Sequence, residues 1–470
     1  MLDTTIFSRV RAATCRFAGA NQGNIAVLFA IAAVPIISFV GAAIDYTRAN
    51  AARSAMQAAL DSTALMLGKD LTDGTITTSQ ISAKATAYFT ALYTNTDAKS
   101  VAITASYNAA SGNGSTILLS GSGMVNTDFM RIAGFPSLNF GTSSTAAWGN
   151  VRMRVAMALD NTGSMASDGK IAALRTSAAS LVDQLSALAK NPGDVYISVV
   201  PFAKEVNVGS SNYNQSWIDW SLWDSNSLTN SWGTCSQTSK TTRSSCRSAS
   251  ASNVWTPDRT KWTGCVTDRT PPYNTQNTAP TAGNAPTLFP ADEYYENSQY
   301  YCKTGNNPPL QKLMPLSYDW TAIKATINAM QPTGGTNQPI GIAWAWQSLQ
   351  QTLPLSAPAE DTNYTYKKAL IVLSDGLNTE DRWPAYGNGS TQYGGQIDAR
   401  QKILCDNIKA QGITIYTIQL NTGTPGDPTS TVLQYCASGA DKFYLVKSAS
   451  QTLTVFNSIG TSLSKLRVAK

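Results

Sequence analysis

An uncharged run from Phe17 to Ile44 divides this chain before anything else can be said of its fold. Within it, Asn24–Ile44 is nearly all apolar. A helix of about 20 such residues crosses the ~30 Å hydrocarbon core of a bilayer. Arg9, Arg11 and Arg16 precede the run against a lone acid, Asp3, and the next charges are Asp45 and Arg48. That charge bias places residues 1–23 in the cytoplasm and all that follows residue 44 across the membrane, a single-pass topology. Pro35 and Gly41 are tolerated in such a helix. The competing reading is a cleaved signal peptide, with Gly41, Ala42 and Ala43 as the cleavage site. The run is longer than the usual apolar region of about 7–15 residues. A mature N-terminus near residue 43 or 44 would remove the anchor.

Asp45–Leu67 continues as an alanine-rich helical pattern with Gly68 as its expected stop. As one helix, residues 24–67 would be about 65 Å long. Ala49, Ala52, Met56, Leu60, Thr63 and Leu67 form a weak apolar stripe. It either packs on the following domain or meets other helices in an assembly. Residues 71–150 are polar and Ser/Thr-rich, with strand patterns at Val101–Tyr107, Thr116–Gly121 and Leu138–Ala147 and a short helix at Asn126–Ile132. Together with the alanine-rich helix they make a small α+β stalk over residues 45–150, with no chemistry of its own.

The stretch Gly23-Asn24-Ile25-Ala26-Val27-Leu28-Phe29-Ala30, then Pro35, Asp45-Tyr46 and Gln57-Ala58-Ala59-Leu60-Asp61, resembles the N-terminus of TadE/TadG-like proteins. Those act in tight-adherence (Tad/Flp) pilus assembly, and some are pilin-like. Pilin-type N-termini usually carry a Glu soon after the processing Gly. Here Asn, Ile, Ala, Val and Leu follow Gly23. That departure argues for a permanent anchor rather than prepilin-peptidase processing.

Composition narrows the function. The net charge of +6 over 470 residues is small, and no basic stripe calls for nucleic acid. The chain has no histidine, which removes Ser-His-Asp, Cys-His and HExxH chemistry. Of seven cysteines, Cys15 precedes the apolar run and Cys235, Cys246, Cys265, Cys302, Cys405 and Cys436 follow it. An exported compartment therefore permits up to three disulfides. No C-x-x-C pair supports a zinc site.

Beyond residue 150 an α/β pattern begins. The apolar run Val155–Leu159 ends in Asp160-Asn161-Thr162-Gly163-Ser164, and an amphipathic pattern, Lys170–Lys190, follows. A strand, a tight loop and a helix result. Asp160, Thr162 and Ser164 stand at alternate positions of the loop and can converge, offering the oxygen ligands that hard divalent cations prefer. Two further stretches complete the set. Thr333-Gly334-Gly335-Thr336-Asn337 is a Gly-rich loop before a helix, and Ala369–Leu373 is a buried-strand pattern ending in Ser374-Asp375-Gly376. In doubly wound sheets, ligands sit at the carboxyl ends of strands. Each segment alone is equally explained by local turns and helix caps; the three together point to one site.

Residues 151–207 and about 313–467 resemble a von Willebrand factor A domain, a doubly wound, mostly parallel α/β sheet. Asp160, Thr162, Ser164, Thr336 and Asp375 fall on the five positions of that family's metal-ion-dependent adhesion site, with Thr at the second. The resemblance implies that Ser164, Thr162 and Thr336 ligate the ion directly or nearly so, and that the two Asp hold it directly or through water.

At about Asn207 the α/β pattern stops. Residues 209–316 carry Trp217, Trp220, Trp223, Trp232, Trp255 and Trp262, with Cys235, Cys246, Cys265 and Cys302, in a Ser/Asn/Thr/Pro-rich background. Four cysteines allow three connectivities; Cys235–Cys246 with Cys265–Cys302 is the favoured one. This is a stapled, loop-rich insertion. Its tryptophans form either a local core or a binding surface. The pattern resumes with helices 319–330 and 338–350, strand 369–373, helix 394–411, strand Ile413–Leu420, a short helix with Cys436, strand Lys442–Val446 and helix 450–466. Cys405 and Cys436 can staple neighbouring helices.

Two carboxylates among five oxygen ligands under-neutralise Mg2+, or Ca2+ or Mn2+ in its place, and leave a position for an external Asp or Glu. The expected function is metal-dependent binding of another pilus-assembly or envelope protein from a bacterial inner-membrane anchor. A structural metal is the second possibility. An enzyme is the third, and it lacks a P-loop, a second acidic cluster and a nucleophile with its base.

Overall fold

The computed structural model describes residues 24–73, 75–108, 115–148, 151–303, 308–362, 364–423 and 427–468. The expected cytoplasmic segment 1–23, with Cys15, lies outside the described residues. Two compact units divide the chain, Met1–Asn150 and Val151–Lys470.

In the first unit, helix α1 is continuous over Asn24–Asp73. Its N-terminal part exposes Val27, Leu28, Phe29, Ile31, Ile37 and Phe39, and the helix is apolar and long enough to be of membrane-span type. Its C-terminal part does the reverse. Ala49, Ala52, Met56, Leu60, Thr63 and Leu67 are all buried, so the weak stripe packs within its own unit. Gly68 does not stop the helix. Leu67 and the half-buried Leu71 on either side pack into the same core, and tertiary packing overrides the ~1 kcal/mol helix penalty of glycine.

That core is completed by helix α2 (Ile81–Leu92), which sequence reading missed, and by the antiparallel strands β1 (Ala98–Asn108), β2 (Ser115–Asn126) and β3 (Ser137–Trp148). Ile81, Ala85 and Phe89, at four-residue spacing, are the buried face of α2. The short helix expected at Asn126–Ile132 is only a 3-10 turn, Met130–Ala133, because β2 runs on to Asn126. That turn is anchored by Asp45. Its buried carboxylate accepts the N–H groups of Asp128, Phe129 and Met130 at 3.0, 2.9 and 2.8 Å. Burial opposes the charge, but those donors and Arg48 outweigh it and hold the Asp45 carboxyl below the usual range.

The second unit is built on six strands: β4 (Val151–Asp160), β5 (Val195–Phe202), β6 (Met314–Ser317), β7 (Thr365–Ser374), β8 (Thr414–Leu420) and β9 (Phe443–Val446). Their order in the sheet is β6-β5-β4-β7-β8-β9. Every pair is parallel except β6 with β5. The sheet is therefore mixed, and the core resumes at Met314, inside the range read as insertion. Helices cover both faces, which is why β4 and β7 read as unbroken apolar runs. Ala156, Ala158, Leu370 and Val372 pack with α5 (Gln338–Ser348) and α6 (Gln396–Ala410). Val155, Met157, Leu159 and Ile371 pack with α3 (Lys170–Leu188), α4 (Trp320–Asn328) and α8 (Gln451–Val468). Gly341 lets α5 approach β5, since a Cβ there would collide with the Phe202 ring.

All three disulfides are formed: Cys235–Cys246, Cys265–Cys302 and Cys405–Cys436. The last joins α6 to α7 (Thr431–Cys436). The tryptophans of the insertion are mostly internal. Trp217, Trp223 and Trp262 join the core of the sheet face itself, and Trp217 meets Trp344 of α5 edge-on at 6.0 Å. Trp255 packs on the Cys235–Cys246 bridge.

Candidate metal site

Neighbouring parallel strands bring the two aspartates together. β4 and β7 pair with Leu159 opposite Leu373, so Asp160 and the Ser374-Asp375 step emerge side by side at the carboxyl edge of the sheet. The loop after β4 then folds back on its own aspartate. The N–H and hydroxyl of Thr162 donate to Asp160 Oδ1 at 2.8 and 2.6 Å. Thr162 Oγ1 lies 3.0 Å from Ser164 Oγ. Ser164 Oγ donates to Asp375 Oδ1 at 2.8 Å. Ser374 Oγ donates to Asp160 Oδ2 at 2.6 Å. Asp160, Thr162, Ser164 and Asp375 thus form one hydrogen-bonded cluster, in which Asp160, Thr162 and Asp375 are buried and Ser164 is exposed.

Thr336 reaches the cluster through its loop. Gly163 N–H donates to Gly334 O at 2.9 Å, and Thr333 N–H to Asn161 O at 2.7 Å. The Thr336 N–H donates to Thr379 Oγ1 at 2.9 Å. Among the described residues, no hydrogen bond joins the Thr336 hydroxyl to the other four. Gly334 takes a φ of 73°, a left-handed conformation suited to glycine, and a Cβ on Gly335 would strike the Glu380 carboxylate. Both glycines are needed for the loop to lie where it does.

Two participants were not anticipated, Ser374 and Lys170. Lys170 is buried at the first position of α3, and its Nζ donates to Asp375 Oδ2 at 2.7 Å. A lysine at a helix N-terminus opposes the helix dipole, and that was the available sign that its ammonium serves a nearby carboxylate.

Electrostatics test whether a divalent cation fits. Asp160 is 0 % and Asp375 2 % exposed. Burial, and then the neighbouring Asp375 carboxylate, push the Asp160 carboxyl up to about 7, against the hydrogen bonds from Ser374 and Thr162. Two close, desolvated carboxylates call for positive charge, and Lys170 supplies a single charge against both. The donors are all oxygen, the set suited to Mg2+, Ca2+ or Mn2+. The residues fit such an ion, with Lys170 as a resident competitor for Asp375.

The fold and site define a mixed α/β domain with an oxygen-lined, strand-end carboxylate cluster, in a chain that also carries an N-terminal helix of membrane-span type. Residues 23–66 match the family model described as putative Flp pilus-assembly TadE/G-like. No curated protein sequence matches the chain. Similar solved structures include the vWF domain of the type V pili tip protein Mfa5 from Porphyromonas gingivalis, 11% identical, covering 67% of this chain and 96% of that one, with a TM-score of 0.35. The PilB minor pilin from Streptococcus sanguinis is 11% identical, covering 78% and 79% of the two chains, with a TM-score of 0.36. Proximal thread matrix protein 1 from the mussel byssus, with a zinc-occupied MIDAS motif, is 12% identical over 67% of this chain and 46% of that one, with a TM-score of 0.31. These likenesses are distant.

Proposed function

We propose that this chain is a membrane-anchored, adhesion-type subunit that assembles or anchors a tight-adherence (Flp/Tad) pilus. Asp160, Thr162, Ser164, Thr336 and Asp375 would hold a divalent cation, Mg2+ foremost, and an Asp or Glu of another pilus-assembly or envelope protein would complete its coordination. The second unit is read as a doubly wound domain of von Willebrand factor A type, exported from the bacterial inner membrane by residues 24–44. The match of residues 23–66 supports the pilus context.

The observation that carries the reading is the buried Asp160–Asp375 pair, joined through the hydroxyls of Thr162 and Ser164 at the sheet's carboxyl edge. Bound there, a cation supplies the charge that draws in an acidic side chain. The protein's own groups do the rest. Thr162 and Ser374 fix both oxygens of Asp160, Ser164 and Lys170 fix both of Asp375, and the Gly-rich loop that carries Thr336 is bonded to the Asp160 loop through Gly334 and Thr333. We read the role as binding rather than catalysis, because the hydroxyls and Lys170 serve to hold the two carboxylates in place.

Capture of envelope proteins by the purified chain, in Mg2+ and in EDTA, tests this with wild type and Asp160→Ala. A pilus or envelope partner held only by wild type in Mg2+ is the expected result. The same partners under all conditions would make the site a brace for its loops.

A further inference from the structure

A second buried acidic cluster lies at the root of the insertion. Three short segments run side by side there. Val206–Asn207 pairs with Cys265–Val266, and Val266 bridges to Ala291. The N–H of Asp292 donates to Cys265 O at 3.1 Å. This layering sets Glu205, from the core, against Asp292 and Glu293, from the insertion, around a cleft of about 350 Å³.

Glu205 is 1 % exposed, and its Oε2 is shielded from solvent with no hydrogen-bond partner. An orphaned, buried carboxylate oxygen is costly. Lys204 Nζ pairs directly with Glu296 and, at 3.2 Å, with Glu380, and acts on Glu205 and Asp292 only through space. Glu293 is held in place: Trp223 Nε1 donates to it at 3.0 Å, and Thr263 Oγ1 at 2.9 Å. Burial first, then the Asp292 and Glu293 carboxylates and a hydrogen bond shared with Asp292, push the Glu205 carboxyl well above its usual range, against the charge of Lys204.

We propose that Glu205 and Asp292 hold a second hard divalent cation of the Ca2+ type, with Glu293 as the flanking carboxylate. Three features select this occupant. Cys265 and Cys302 lie beside Glu205 but are joined to each other, so no thiolate is offered to zinc or copper. The cleft has room for the waters that complete six to eight oxygen ligands. Glu205 Oε2 is shielded from solvent while its carboxyl and Asp292 both line the cleft, which suits a small dehydrated ion better than a bulky guanidinium. The ion would clamp the insertion to the core. It would also steady the strip after Glu293, where the Tyr294 hydroxyl accepts the Gly335 N–H at 2.7 Å. The inference stands apart from the role of the Asp160 site.

The test uses the full chain in detergent, stripped with chelator and carrying Asp160→Ala to disable the first site. Equilibrium dialysis against radioactive Ca2+ counts bound ions, and Tb3+ luminescence sensitised by the tryptophans, Trp223 and its neighbours among them, reports binding. The expected result is a single Ca2+ per chain with sensitised Tb3+ emission. Adding Glu205→Gln or Asp292→Asn should weaken both readouts by more than ~10-fold. Peptide mapping of the Cys265–Cys302 bridge verifies the fold of Glu205→Gln, and Asp292→Asn decides if that bridge fails to form. No Ca2+ on the Asp160→Ala chain, or undiminished binding in Asp292→Asn, would overturn the proposal.

Discussion

The two carboxylate clusters of the second unit are both largely buried, with Asp292 half-buried, but differently furnished. Around Asp160 and Asp375, each of the four carboxylate oxygens has a donor: Thr162 and Ser374 on Asp160, Ser164 and Lys170 on Asp375. Around Glu205, one oxygen has no donor at all. On the proposed reading the first cluster would be open to exchange, because hydroxyls and an ammonium hold its geometry without a cation. In the second, Trp223 and Thr263 hold Glu293 and the Glu293 N–H reaches Asp292, but Glu205 Oε2 has no such donor as an understudy. Burial alone thus says little about the role of an acidic cluster; the donors around it say more.

The largest effect should come from splitting the Lys170–Asp375 pair. Asp375→Ala leaves a buried ammonium without its partner and should cost ~3–5 kcal/mol, measured by urea unfolding in EDTA. Adding Lys170→Met should recover much of that loss. If it does not, the lysine is not the understudy described. Next, Mg2+ at about 100 times its Kd should raise unfolding free energy by ~2.7 kcal/mol in wild type and not in Asp160→Ala.

The difference in furnishing also explains what the sequence disclosed. Asp160, Thr162 and Ser164 are legible because strand-end geometry compresses them into one loop, and Asp375 because it ends an apolar run. Lys170 and Ser374 complete the same cluster but belong to elements whose patterns announce only a helix and a strand. Glu205, Asp292 and Glu293 come from segments with no period, joined by two-residue pairings that leave no trace in hydrophobic patterning. The same contrast holds for the fold. The disulfides formed in the insertion are those favoured among its three possible connectivities, and the parallel strands β4, β7 and β8 follow from apolar runs. The short antiparallel edge strand β6 does not, nor does the run of α1 past Gly68, because distant packing partners decide both.

A pH series sharpens the comparison further. The Asp160 carboxyl is raised from 3.8 to about 7, so the folded state holds its proton longer than the unfolded chain. Stability from this group is complete below about 4 and is lost as pH rises towards about 7, with a limiting slope of ~1.4 kcal/mol per pH unit per proton. Urea unfolding in EDTA should show that decline in wild type and less of it in Asp160→Asn; Mg2+ should flatten it by favouring the charged carboxylate. The smallest effect is on affinity: Lys170→Gln removes the competitor for Asp375 and should tighten Mg2+ binding by about tenfold, ~1.4 kcal/mol, a fraction of the several kcal/mol between close unit charges at a protein surface. An unchanged affinity would mean that Lys170 and the ion share Asp375 without competing.

Isothermal titration of Mg2+ into the chelator-stripped chain, wild type against Asp160→Ala, tests the central claim most directly. Wild type should bind a Mg2+ ion which Asp160→Ala does not, with the three disulfides intact in both. Identical titrations of the two proteins would contradict it, and would leave Asp160 and Asp375 as a buried polar brace for the loops at the edge of the sheet.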